Sequence, residues 1–69
     1  MRLYNIQVKD TDNNLLDSFK LTVGDYELPT LDAMLLYGLE TIEKYDSIDF
    51  LLSYNDPILG NVTTKPLHI

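Results

Sequence analysis

Apolar and polar residues alternate over residues 3–9, LYNIQVK. Tyr4, Ile6 and Val8 fall on one side and Asn5, Gln7 and Lys9 on the other, the period of a half-buried strand. Residues 15–23, LLDSFKLTV, alternate again, with Phe19, Leu21 and Val23 inward and Ser18, Lys20 and Thr22 outward. Leu15, Leu16 and Asp17 break that phase, which predicts a bulge or irregular start near Leu16. DTDNN, residues 10–14, separates the two strands.

Gly24-Asp25 ends the second strand, and Tyr26-Glu27-Leu28-Pro29 leads into a helical segment. Thr30 is the expected N-cap, with Asp32 in the first turn where the helix dipole favours an acid. Leu31, Leu35, Gly38, Ile42 and Tyr45 share one stripe, broadened by Met34 and Leu39. Glu40 and Lys44 are four apart in the favourable order, a pair worth roughly 0.2–0.5 kcal/mol. Gly38 costs about 1 kcal/mol against Ala inside a helix; its place on the stripe suggests a close approach to the sheet or to another helix.

Residues 47–55, SIDFLLSYN, fit two periods. As a strand, Ile48, Phe50, Leu52 and Tyr54 alternate with Asp49, Leu51, Ser53 and Asn55. As a helix, Ile48, Leu51, Leu52 and Asn55 align. Four apolar positions in strict alternation favour the strand. Asn55-Asp56-Pro57 and Gly60-Asn61 mark turns. Residues 61–69, NVTTKPLHI, fit an edge strand, because Pro66 offers no N–H. The order strand–strand–helix–strand, with a possible fourth edge strand, predicts an α+β two-layer sandwich: an antiparallel sheet with one helix packed on one face. No repeat or linker divides the chain, so 1–69 reads as a single domain.

Composition narrows this picture. A 69-residue chain buries only about 60% of its unfolded surface and has marginal stability. It has no cysteine and one histidine, His68. Disulfides and thiolate metal sites are therefore excluded, and a zinc site would need carboxylates almost alone. Extra stability has to come from a well-packed core, self-association or a partner. The longest apolar run is Met34–Tyr37, far short of a membrane span. MRLYNIQVKD has no apolar leader core, so a cytoplasmic protein is expected and the Asn61-Val62-Thr63 triplet carries no glycosylation signal.

The net charge is −6. Within 30–56, six acids face one base, Lys44. Such a chain repels nucleic acid and anionic lipid and favours a basic protein surface. Residues with AT-rich codons outnumber those with GC-rich codons 23 to 8, which suggests a low-GC bacterium, its plasmid or its phage.

Little in the chain suggests catalysis. Asp10, Asp12 and Asn14 have the alternate spacing of calcium ligands, but the glycine and the closing glutamate of an EF-hand loop are replaced by Leu15 and Leu21. DTDNN therefore reads as a turn, with a weak cation site as the lesser alternative. Glu40 with Glu43, or Asp46 with Asp49, could be an acid–base pair, but a domain this small has little room for a cleft beside its core. Ser18, Ser47 and Ser53 have only His68 as a possible base. No enzyme activity and no cofactor are expected.

Five tyrosines stand out. Tyr4 and Tyr54 fall on inward faces and are expected in the core. Tyr26 and Tyr37 are interface candidates, because tyrosine combines an apolar body with a polar tip. Leu36 projects away from the main stripe, beside Leu39 and Asp32, as an exposed apolar strip would. Two functional classes follow. One is a small acidic protein-binding module, in its sharpest form a phage- or mobile-element-encoded inhibitor whose carboxylates imitate DNA phosphates. Asp32, Glu40, Glu43, Asp46, Asp49, Tyr26, Tyr37 and Leu36 would carry that contact. The other is an assembly subunit or homodimer joined through helix and sheet-edge surfaces.

Overall fold

The computed structural model describes all 69 residues. Strands β1 (Arg2–Asp10), β2 (Leu15–Val23), β3 (Asp49–Asp56), β4 (Gly60–Thr63) and β5 (Leu67–His68) form one antiparallel sheet. Helices α1 (Leu31–Tyr37) and α2 (Leu39–Ile42), followed by a 3₁₀ turn over Glu43–Tyr45, lie between β2 and β3 in sequence. The sheet order is β2-β1-β3-β4, with β5 also against β3. The smallest molecular dimension, 16 Å, fits one helical layer on one sheet. The α+β sandwich is therefore present, and within residues 47–55 the strand reading holds from Asp49 onward. No helix is long and apolar enough to cross a membrane.

Alternation produces the core. Tyr4, Ile6 and Val8 of β1 are buried beside Leu21 of β2 and Phe50, Leu52 and Tyr54 of β3, with Met34 and Ile42 closing the cluster from above. The register opposes Tyr4 to Leu21, Ile6 to Phe19 and Val8 to Leu52. The register shift expected near Leu16 occurs there: Val8 faces Asp17 but Lys9 faces Leu15. Leu16 is the extra residue, and its carbonyl accepts from the Tyr45 hydroxyl at 3.1 Å.

DTDNN is a turn. One Asp10 carboxylate oxygen accepts from the main chain of Asp12 (2.9 Å) and Asn14 (2.8 Å), the other from the Asn14 side chain (3.1 Å). Asn13 takes the positive φ, 70°, that asparagine tolerates. The carboxylate that a cation would need is thus engaged by the turn itself.

Four local expectations change. The helical segment is interrupted at Gly38, and its buried line is Met34, Gly38, Ile42, with Leu35 and Tyr45 half-buried against the core and Leu31 outside it. Leu31 is 41% exposed. The Glu40–Lys44 pair does not form, because beyond Ile42 the tighter 3₁₀ turn carries Lys44 away; its ammonium lies 3.5 Å from Asp17. Residues 61–69 are two strands, β4 and β5, separated around Pro66. β4 pairs with β3 through Ser53–Thr63, whereas β5 pairs through Phe50–Leu67, a register offset by one residue. Between them the Thr64 hydroxyl accepts from Leu52 N–H at 3.1 Å, replacing a main-chain carbonyl of the ladder. Ile48, expected inside, precedes β3 and is 41% exposed.

Thr30 caps α1, its hydroxyl accepting from Ala33 N–H at 3.1 Å. Gly38 does approach the sheet. A Cβ built there would stand 2.2 Å from Cζ of Phe19. Gly38→Ala is therefore predicted to destabilise the fold by about 1–3 kcal/mol, the usual range for overpacking, despite alanine's better helix propensity. Urea unfolding of Gly38→Ala, Phe19→Leu and the double variant would show the two sites coupled; an alanine variant more stable than the parent would contradict the contact.

Candidate partner-binding surface

The helical layer carries most of the candidate residues. On α1, Asp32 and Leu36 are one turn apart and share a face. Leu36 is 68% exposed, Tyr37 71% and Leu39 45%. These apolar residues face outward because Met34, Gly38 and Ile42 take the buried side. Tyr37 reaches over β2, where it bounds a shallow hollow with Lys20, Leu21 and Thr22. Glu40 on α2, Glu43 in the 3₁₀ turn and Asp46 beyond it are also exposed. Tyr26 is fully exposed in the loop before α1.

The ion pairs of the molecule are the terminal amine with Asp25 and Lys44 with Asp17, and His68 makes a polar contact with Asp49. Asp32, Glu40, Glu43 and Asp46 belong to none of them. Asp49 differs. It opens β3, away from the helices, and its carboxylate lies 2.8 Å from His68 Nδ1 across the β3–β5 pair. Asp49 is thus separated from the other acids by its place in the sheet.

The opposite face of the sheet is uncovered. It presents the outward alternates of each strand, including Asn5, Lys9, Lys20, Thr22 and Asn55. Lys9 and Lys20 lie there, with Asp49 as the acid of that face. The molecule therefore has an acidic helical side and a faintly basic sheet side on which Leu3, Leu15 and Leu51 stand among the polar residues. No three potential metal-ligating side chains converge anywhere.

Sequence reasoning missed Asp56. It counted only as one more surface acid in a turn. Asp56 is buried, 5% exposed, beside Tyr4. Its carboxylate accepts from the Tyr4 hydroxyl (2.8 Å) and from the main-chain N–H groups of Ile58 (2.9 Å) and Leu59 (2.8 Å). The Leu59 N–H, the Tyr4 hydroxyl and the Ile58 N–H, in that order, hold its carboxyl below the ordinary carboxylate range. The same bond raises the Tyr4 phenol, with burial adding to it. Tyr4 and Tyr54 stack edge to face, centroids 5.3 Å apart. The signal available was Asp56-Pro57 followed by Gly60, an aspartate placed to cap its own hairpin turn.

No family model matches the chain, and no curated protein or solved structure is significantly similar to it.

Asp10 and Asp17 are also held low, chiefly by the Asn14 main-chain N–H and the Ser18 N–H respectively. For such groups the stability is complete above the unfolded value, about 3.9, and is lost as pH falls through the folded values. Acid unfolding should therefore begin below about pH 5 and steepen downward. In Asp56→Asn this decline should be shallower, because one of the three titrating groups is gone. Circular dichroism across a pH series would show it; identical slopes in both proteins would remove Asp56 from the cause.

Proposed function

We propose that this chain is a non-catalytic protein-binding module whose acidic helical layer docks on a basic protein surface. One observation carries the reading: Leu36, Tyr37 and Leu39 are exposed beside Asp32, Glu40 and Glu43, none of which has an ion-pair partner within the chain. An apolar centre within a rim of charge is the anatomy of a protein interface. The unpaired acids add attraction at a distance, and a basic partner would meet them faster at low salt. In the sharper form of the proposal the carboxylates stand in for DNA phosphates, and the target is a nucleic-acid-binding protein. The bulk charge and the unpaired state of these acids support that form.

A second reading rests on the same apolar strip together with β2, a nine-residue edge strand. There two copies join through the helices or the edge. Lys20 lies on that edge strand, where lysine discourages strand-to-strand pairing, so the heterologous partner is the stronger reading.

The test is a salt-gradient elution of lysate proteins from immobilised wild type, Glu40→Lys/Glu43→Lys and Leu36→Asp. The proposal expects the same partner to leave wild type at moderate salt and to leave the lysine variant at markedly lower salt. It expects Leu36→Asp to lose binding while keeping its unfolding free energy within about 0.5 kcal/mol of wild type, as exposed positions do. Equal elution from all three baits would sink the proposal.

A further inference from the structure

β1 and β3 run side by side but are joined along only part of their length. The ladder covers Gln7–Asp10 against Phe50–Ser53 and stops there, although β1 continues back to Arg2 and β3 on to Asp56. The middle of the sheet therefore opens into a fork toward the Pro57–Leu59 turn. Main-chain direction shows what faces into it. Asp10 N–H donates to Asn14 across the β1–β2 turn, so the odd residues of β1 aim at β3. Thr64 N–H donates to the Leu52 carbonyl, so the odd residues of β3 aim at β1. Leu3 and Asn5 from one side and Asn55 from the other thus point peptide groups into a gap where no ladder pairs them.

The fork is a groove of about 490 Å³ between the strands, lined by Leu3, Asn5 and Gln7 from the uncovered face and by Arg2 and Tyr4 from the core face. Its walls carry the carboxamides of Asn5, Gln7, Asn55 and Asn61, with Leu3 and Pro57 at the mouth. A carboxamide both donates and accepts, as a peptide group does. Tyr4 forms the floor. It is fixed from two directions, by its hydroxyl on Asp56 and its ring on Tyr54. In a chain of net charge −6, the charged residue lining this groove is a cation, Arg2. Its guanidinium lies 5.6 Å from the centre of the Tyr4 ring, forms no salt bridge, and acts on the Asp56 carboxylate only through space.

We infer that this fork binds a short extended peptide that carries a carboxylate, its main chain bridging β1 and β3 and its carboxylate meeting Arg2. Leu3 to Gln7 spans roughly 13 Å at a strand's rise, the length of four to five residues. The unpaired peptide groups and carboxamides supply main-chain recognition, as in strand addition to a sheet. The guanidinium supplies a charge-assisted contact that selects the acid. No residue of the acidic helical layer lines this groove, so the site does not depend on what that layer binds.

The test uses ¹⁵N-labelled full-length protein titrated with a pool of random acetylated pentapeptides with free C-terminal carboxylates, and with the same pool amidated at the C-terminus. The free-acid pool should shift the amides of Leu3, Asn5, Gln7, Asn55 and Asn61 and leave Leu36 and Glu40 unmoved. Amidation, or Arg2→Gln, should weaken the response about tenfold, the effect of losing one charge-assisted bond, and Arg2→Lys should recover part of it. Without peptide, the amides of Asn5 and Asn55 should exchange with solvent much faster than that of Ser53. Slow exchange at Asn5 and Asn55 would mean the fork is closed. No shift at millimolar peptide, or shifts centred on the helices, would overturn the site.

Discussion

The contact between Gly38 and the Phe19 ring constrains the rest of the molecule. A single sheet of five strands has one apolar face, and this chain has only fifteen residues, Leu31–Tyr45, with which to cover it. Those residues must sit close. Gly38 supplies the closeness, because any side chain there would enter the ring. The same position interrupts the helix, which fixes Met34 and Ile42 inward on either side of it. Leu36, Tyr37 and Leu39 are left outside as a consequence. One packing constraint thus sets both the seal of the core and the composition of the exposed helical surface. At the far end Tyr45 fastens the layer by donating into the bulge at Leu16 and to Asp17, 3.2 Å away.

A second polar device operates at the other end of the sheet. The Asp56 carboxylate satisfies two N–H groups of its hairpin turn and the hydroxyl of a core tyrosine. A buried charge is tolerated only when its hydrogen-bonding capacity is met in this way. No buried side-chain polar atom is left without a partner. Reaching Tyr4 from β3 also accompanies the divergence of β1 and β3, so the core anchor and the open groove belong to one arrangement. The sheet is braced below that groove and uncovered above it.

Much of the fold was legible because burial on one side of a sheet imposes period 2. Tyr4, Ile6, Val8, Phe50, Leu52 and Tyr54 all alternate, and all are inside. Thr30 was legible because its capping chemistry is local. What escaped depended on contacts between distant residues. Nothing near Gly38 in sequence says that Phe19 will lie against it, so the interruption and the rotated helix face were hidden. Lys44 prefers Asp17, 27 residues away, to Glu40. Asp49 is close in sequence to the helical acids, yet β5 returns to engage it through His68. Pro66 marked the edge correctly, but the one-residue register offset it accompanies is a property of the strand pair.

The account rests finally on the helical surface being free to meet another protein. Sedimentation equilibrium of the purified chain, at low and at high sodium chloride, tests this most directly. A single species of 7.9 kDa at both salts is the predicted result. A dimer that persists at high salt and dissociates in Leu36→Asp would contradict it, and would assign the same apolar strip to self-assembly.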